Sequence, residues 1–271
     1  MKIRILEHDE RSIRFLVEEA PLALINAIRR LTISDVPSMA IDYVYFIENS
    51  SPLYDEIVAH RLGLIPLTSD RALDKYGPPE ECKDNEERPD CYARLYLEAE
   101  ASEGTRVVYS GDLVSDDEDV QPVYKDIPIV VLGPGQKISF EARARLGRGR
   151  EHAKWSPVSA ATHKYVPKII IDQEKCIGEQ CSKCVNVCPK NILKIKEGKL
   201  VVEDELSCTL CRQCEKTCPA DAVTVSWKPE SYIMYVESTG VLKPERIVLE
   251  ASRILEEKAD YLLSELENMN G

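Results

Sequence analysis

The chain has 271 residues, 47 of them acidic and 35 basic, for a formal net charge of -12. That balance disfavours a free-standing, non-specific nucleic-acid binder, whose affinity comes from neutralising phosphates. The length allows two or three domains and a substantial core without disulfide staples.

No apolar run approaches the length that crosses a bilayer, and Met1 to His8 lacks the long apolar region of a signal peptide. A cytoplasmic location is expected, and in that reducing compartment clustered cysteines are more often metal ligands than disulfides. Ile3 and Ile5, then Ile13, Phe15 and Val17, alternate with polar residues on either side of His8-Asp9-Glu10-Arg11. This predicts a β-hairpin with one buried face. Pro21 suits the first turn of a helix, along which Leu24, Ile25, Ile28 and Leu31 recur until Asp35-Val36-Pro37 stops it. Ala40 to Phe46 reads as a strand. A second helix after Ser51-Pro52 carries Ile57, Val58 and Leu62, with Gly63 expected as a left-handed cap and Pro66 beyond it. His60, on that helix with no cysteine nearby, reads as structural.

Asp74 to Asp90 is polar and proline-containing, which predicts a long loop. Cys82 and Cys91 bracket it. Two cysteines cannot complete a tetrahedral zinc site, so free thiols are expected, with a disulfide as the alternative. Strands follow at Leu95, Leu97 and Ala99, at Val107 and Tyr109, and along Ile127 to Leu132. After Gly133-Pro134-Gly135, a further strand alternates Ile138, Phe140, Ala142, Ala144 and Leu146. Asp116-Asp117-Glu118-Asp119 lacks the spacing of a calcium loop and reads as a solvated loop. The basic stretch Arg145 to Pro157 is compatible with phosphate binding, but in an acidic chain a protein contact is the expectation.

Eight of the ten cysteines fall in two blocks. Cys208, Cys211, Cys214 and Cys218-Pro219 form the C-x2-C-x2-C-x3-C-P run of bacterial-type ferredoxins. Cys181, Cys184, Cys188 and Pro189 precede Cys211, Cys214, Cys218 and Pro219 at a constant offset of thirty, which marks an internal duplication over residues 169–226. In such a run three thiolates surround one face of a cluster while the fourth crosses to its neighbour. One ligand set is therefore Cys208, Cys211 and Cys214 with Cys188. The other is Cys181 and Cys184 with Cys218 and, for the fourth corner, Cys176. The first gap is C-x4-C. Either Gly178-Glu179-Gln180 loops out and returns Cys176 to the cluster, or the site holds three irons. The cofactors are thus two [4Fe-4S] clusters, or one [4Fe-4S] and one [3Fe-4S], and zinc fits the spacing less well.

Asn26-Ala27-Ile28-Arg29-Arg30, Val36 to Asp42, Asp55 to Leu67, and Gly149 to Pro157 together resemble the D-subunit family of archaeal RNA polymerase, itself similar to the eukaryotic third-largest subunit and to bacterial α. The resemblance covers essentially the whole chain. It implies an α+β fold with three parts: a discontinuous α/β dimerisation domain from residues 1–46 and 227–271, an inserted mostly-β domain over 47–166, and a ferredoxin-like iron–sulfur domain over 167–226. It also implies a non-catalytic assembly subunit of DNA-directed RNA polymerase, a nucleotidyltransferase complex, whose clusters are structural or redox-sensing. The implied partners are the polymerase's L subunit, its small N subunit and the large catalytic subunits, with nucleic acid reached only through the complex and no membrane. Asn26, Arg29 and Arg30 would lie at subunit interfaces. The C-terminal stripe Ile247, Ala251, Ile254, Leu255, Leu262 and Leu266 has helical period, and in the family it packs with the L subunit. The four-cysteine zinc loop of eukaryotic relatives is not carried over, since only Cys82 and Cys91 fall in that region. The alternative is a ferredoxin-type electron-transfer subunit of an oxidoreductase.

Overall fold

The computed structural model describes residues 1–83, 88 and 90–269. In chain order the elements begin β1 (Lys2–His8), β2 (Ser12–Glu18), α1 (Leu22–Ser34), β3 (Pro37–Asn49), α2 (Asp55–Gly63), α3 (Ala72–Lys75), α4 (Pro79–Cys82), β4 (Ala93–Ala101), β5 (Arg106–Tyr109), β6 (Val114–Ser115), β7 (Pro128–Leu132) and β8 (Gln136–Arg148). They continue with β9 (Val158–Ile171), α5 (Lys183–Val187), β10 (Leu193–Lys196), β11 (Lys199–Val202), α6 (Gln213–Thr217), β12 (Val223–Ser238) and α7 (Pro244–Met269). No helix among the described residues is long and apolar enough to cross a membrane.

The architecture is α+β. Two compact units comprise Met1–Arg4, Phe15–Leu22 and His163–Met234, and Ile5–Arg14, Ala23–Thr162 and Tyr235–Gly271. The residues expected to form the discontinuous domain fall in both. One sheet has the strand order β1-β2-β12-β9. The hairpin at the N-terminus is present, but β1 is an edge strand, and Ile3 and Ile5 are 59% and 54% exposed. Only β2 of the pair turns a face inward, through Ile13, Phe15 and Val17, so alternation alone did not say which strand was covered.

In the larger unit, β3, β8, β4 and β6 form an antiparallel sheet in that order. Leu95, Leu97, Ala99 and Ala101 alternate inward on β4, as Ile138, Phe140, Ala142 and Ala144 do on β8. Phe46 meets Phe140 edge-on at 5.7 Å. Helix α2 adds Val58 and Leu62, both fully buried, to the same core, each contributing about 1.5–3 kcal/mol by leaving water. Gly63 does not form the left-handed cap. It is the last helical residue, and Leu64 caps the helix in the right-handed region. A Cβ on Gly63 would meet the Ile41 carbonyl oxygen at 3.4 Å, an ordinary van der Waals contact. His60 lies exposed on α2.

The expected loop over residues 74–90 is partly helical, with the end of α3 and all of α4 inside it, and residues 84–87 and 89 lie outside those described. Cys82 and Cys91 are a disulfide, not free thiols, with Cα atoms 5.3 Å apart. Both are buried beside Tyr92 and Tyr43. The Tyr92 hydroxyl donates to the Cys82 carbonyl at 2.9 Å and the Gly77 amide to the Asp90 carbonyl at 2.9 Å, which gathers the two ends of the segment. Asp117 also departs from the solvated-loop reading. It is buried and accepts hydrogen bonds from Lys75 Nζ at 2.7 Å and the Tyr76 hydroxyl at 2.5 Å.

The cations of the basic stretch are engaged within the chain. Arg148 and Arg150 pair with Glu80, and Arg150 also with Asp35. Arg145, buried, donates to Asp42 at 2.6 Å, and Lys154 reaches the other Asp42 oxygen at 2.6 Å. Both cations lie over the Trp155 ring, at 4.4 and 4.2 Å from its centroid. Gly147 makes room for that ring, because a Cβ there would come within 2.3 Å of it.

Burial raises the Asp42 pKa, but hydrogen bonds from Lys154 and Arg145 outweigh it and hold the carboxyl below its ordinary value. The stabilisation this group supplies is therefore complete above the unfolded carboxylate range of about 4 and lost as pH falls through the lower folded value. Replacing Asp42 by Ala is expected to cost about 3 kcal/mol in urea unfolding at pH 7, the low end for breaking a buried pair, since Arg145 loses its nearest carboxylate and keeps, among the described residues, only Glu151 at 3.7 Å. The difference from the unaltered chain should shrink as pH falls from ~4 toward the lower folded value and vanish beneath it, where Asp42 is protonated in both states.

Candidate metal centre

The thirty-residue repeat is visible in the backbone as well as the sequence. Helices α5 and α6 occupy equivalent positions, each one short turn starting two residues after a cysteine. Ser182 and Arg212, which precede them, are both left-handed, with φ of 43° and 58°. Asn191 and Asp221, which follow the two Cys-Pro pairs, repeat the device with φ of 52° and 47°. Left-handed conformations are uncommon for residues other than glycine, and here they recur at the same offset, so both halves bend the chain around their cysteines in the same way.

Cys208, Cys211, Cys214 and the crossing Cys188 line one small cavity. Cys176, Cys181, Cys184 and the crossing Cys218 line a second. The fold thus gathers the eight cysteines into the two groups that their spacing suggests, and all eight are unpaired thiols. The remaining walls are largely apolar and again related by the repeat: Leu193 and Val225 in one cavity stand where Val223 and Ile195 stand in the other. Among the described residues, no three His, Cys, Asp or Glu side chains converge as ligands of a single metal ion do. Four sulfurs per cavity, each set completed by the crossing cysteine of a ferredoxin-type run, suit an iron–sulfur centre better than one zinc ion.

Cys176 reaches its cavity through an irregular loop. Gly178 occupies the repeat position of Cys208, has φ of +57°, and sits against the β10–β11 turn. A Cβ there would lie 2.2 Å from the Gly198 carbonyl oxygen. A cysteine is thus excluded where the regular half has one, and Cys176, two residues earlier, lines the cavity instead. Its amide donates to the Asp172 carbonyl at 3.0 Å. Asp172 Oδ1 accepts from the Glu174 and Lys175 amides, and the Lys175 amide is the main reason this carboxyl is held below its ordinary pKa.

Burial pushes the thiols of Cys184 and Cys208 up, and that of Cys214 to about 11. The Gln213 amide lowers that of Cys211, which is exposed. The buried thiols therefore ionise as a metal arrives, with release of protons. Backbone amides face the sulfurs already: Leu210 donates to Cys208 Sγ at 3.4 Å and Ala222 to Cys218 Sγ at 3.3 Å. One neighbour escaped the sequence reading. Lys164, on β9, donates to the carbonyls of Leu206 at 2.7 Å and Cys208 at 2.9 Å, and at 44 residues from Cys208 no local pattern announces it.

The other anticipated positions lie on helices. On α1, Asn26 Oδ1 accepts from Arg29 Nε at 3.2 Å and Nη2 at 3.0 Å, and Arg30 is exposed. On α7, Ile247, Ala251 and Ile254 are buried, Leu255 is half-buried and Leu262 is exposed. The first half of the C-terminal stripe closes this chain's own core and the second half does not. Tyr261, Leu263 and Leu266 share the exposure of Leu262.

The fold and the paired cavities define a class in which two modules share one chain. Residues 44–172 match the RNA polymerase Rpb3/RpoA insert domain, and residues 175–222 match a 4Fe-4S dicluster domain. The dicluster match and the clustered cysteines support iron–sulfur clusters as the cofactor. Similarity extends over nearly the full chain to proteins named DNA-directed RNA polymerase subunit Rpo3. The Aeropyrum pernix protein is 40% identical, covering 98% of this chain and 96% of its own. That of Methanosphaera stadtmanae is 40% identical over 97% and 98%, and that of Archaeoglobus fulgidus 38% over 96% of each. The chain belongs to the Rpo3 family of DNA-directed RNA polymerase subunits.

Gly178→Val is expected to displace the loop that delivers Cys176. Bound iron and acid-labile sulfide should fall toward the content of one cluster while the secondary structure seen by circular dichroism is kept. Unchanged iron content would show that the close approach to Gly198 is not needed.

Proposed function

We propose that this chain is a non-catalytic assembly platform of an archaeal DNA-directed RNA polymerase, located in the cytoplasm, that heterodimerises with the L subunit and joins the small N subunit and the large catalytic subunits. Residues 1–46 with 227–271 serve as the dimerisation domain, 47–166 as the insert and 167–226 as the cluster domain. The observation that carries the dimer reading is the outer half of α7, where Tyr261, Leu262, Leu263 and Leu266 stand exposed within eight residues of the end of the helix. An apolar helix face of this kind is buried against a partner in stable assemblies. Asn26, Arg29 and Arg30 on α1 would add polar contacts to neighbouring subunits, with Ile247, Ala251 and Leu255 supporting α7 from within.

Cys208, Cys211, Cys214 and Cys188 would hold one [4Fe-4S] cluster, and Cys176, Cys181, Cys184 and Cys218 a second. Delivery of Cys176 to its cavity favours four irons there over three. When bound, such a cluster supplies four metal–sulfur links between distant parts of the chain and a centre that takes up one electron. The chain's own residues close the apolar walls, orient the sulfurs through backbone amides and fix the crossing ligands with Pro189 and Pro219. A ferredoxin-type electron carrier of an oxidoreductase is not favoured, because the relatives that match over the whole chain are polymerase subunits.

Two variants separate the two roles. Cys208→Ser with Cys211→Ser is expected to remove the visible absorbance of one thiolate-bound cluster and leave the heterodimer with the L subunit intact by size-exclusion chromatography. Leu262→Glu with Leu266→Glu is expected to abolish the heterodimer and leave iron content unchanged. Dimer formation unaffected by the helix substitutions would overturn the α7 interface.

A further inference from the structure

The repeat permits a comparison inside one chain. Lys190 lines the Cys208 cavity, and thirty residues on, Ala220 occupies the corresponding place in the Cys176 cavity. Arg212 lines the first, and its counterpart Ser182 lines the second. Arg212 is paired with Glu215 at 3.7 Å, which offsets its charge, so Lys190 carries the difference. Lys164 stands on the same side: its ammonium donates to the Cys208 carbonyl at 2.9 Å and to the Leu206 carbonyl at 2.7 Å. Among the described residues, no charged side chain lines the Cys176 cavity.

We propose that the two centres are unequal redox sites, and that Lys164 and Lys190 set the one on Cys188, Cys208, Cys211 and Cys214 at the higher potential, so that it accepts an electron first. This rests on the ligand sets proposed above. Reduction transfers one electron from a one-electron donor to the sulfur-bound iron, which gains one negative charge, and no bond or proton moves. Nearby cations favour that more negative state, and net charge is among the factors that set such potentials. Lys164 and Lys190 are positioning residues: they act on the centre through space and through the Cys208 loop, and ligate nothing.

The test is a dithionite redox titration of the full-length chain, purified without air and followed by electron paramagnetic resonance, with iron and acid-labile sulfide measured on each sample. The unaltered chain is expected to reduce in two separate one-electron waves. Lys190→Ala, an exposed and structurally mild change, should move the upper wave toward the lower and leave the lower in place. Lys164→Met should do the same, and Ala220→Lys should raise the lower wave. A single wave in the unaltered chain, or an upper wave unmoved by Lys190→Ala in a sample with full iron, overturns the proposal. Absence of iron and sulfide from the unaltered chain overturns the ligand sets, and the proposal with them.

Discussion

Each cysteine cavity takes its fourth sulfur from the other half of the repeat, Cys188 for one and Cys218 for the other. Neither half can therefore complete its site alone. The core of this unit is small, and the cysteines are part of it: Cys184, Cys208 and Cys214 are buried together with Ile192, Leu193, Leu200, Val223 and Val225. A core of that size has little apolar surface to set against the entropy of ordering its loops. Metal–sulfur links supply what the apolar contacts lack, which is how folding and metal binding become one process in small metal-bound domains.

The larger unit is held on a different principle. Its sheet and α2 enclose an apolar core large enough to stand without metal, and charge is used to pin the ends of elements. Asp42 ties β3 to β8 and to the turn carrying Lys154. Asp35, at the end of α1, receives Lys258 of α7 at 2.6 Å, where burial opposes ionisation and the hydrogen bond from Lys258 wins. This pair anchors α7 to α1 just before its exposed outer turns. The same helix can in this way serve the core at Ile247, Ala251 and Ile254 and offer an apolar face at Leu262 and Leu266.

Near-identical sulfur donors do not make the two centres identical. Duplication copied the bends, the prolines and the apolar walls, while Lys190 and Arg212 differ from Ala220 and Ser182 at related positions. Divergence in the wall changes the electrostatics without touching a ligand, and the Gly178 loop does the reverse, changing the route to a ligand and preserving the site.

Much of this protein was legible in its sequence. Helix α1, helix α2, strands β4 and β8 and the repeat all rest on patterns within some thirty residues, and so does the grouping of the eight cysteines. Such patterns report periodicity and loop length, which are local properties. The tertiary structure decided the rest. It left β1 exposed at a sheet edge, joined Cys82 to Cys91, moved Gly63 from a cap into the last turn of α2, and placed Lys164 on the Cys208 loop. It also turned a basic stretch into internal ion pairs, through partners 103 residues apart for Arg145 and Asp42 and 112 for Lys154 and Asp42, and joined Lys258 to Asp35 across 223. Which charge meets which across such separations depends on how the sheets and helices pack, and no spacing along the chain encodes it.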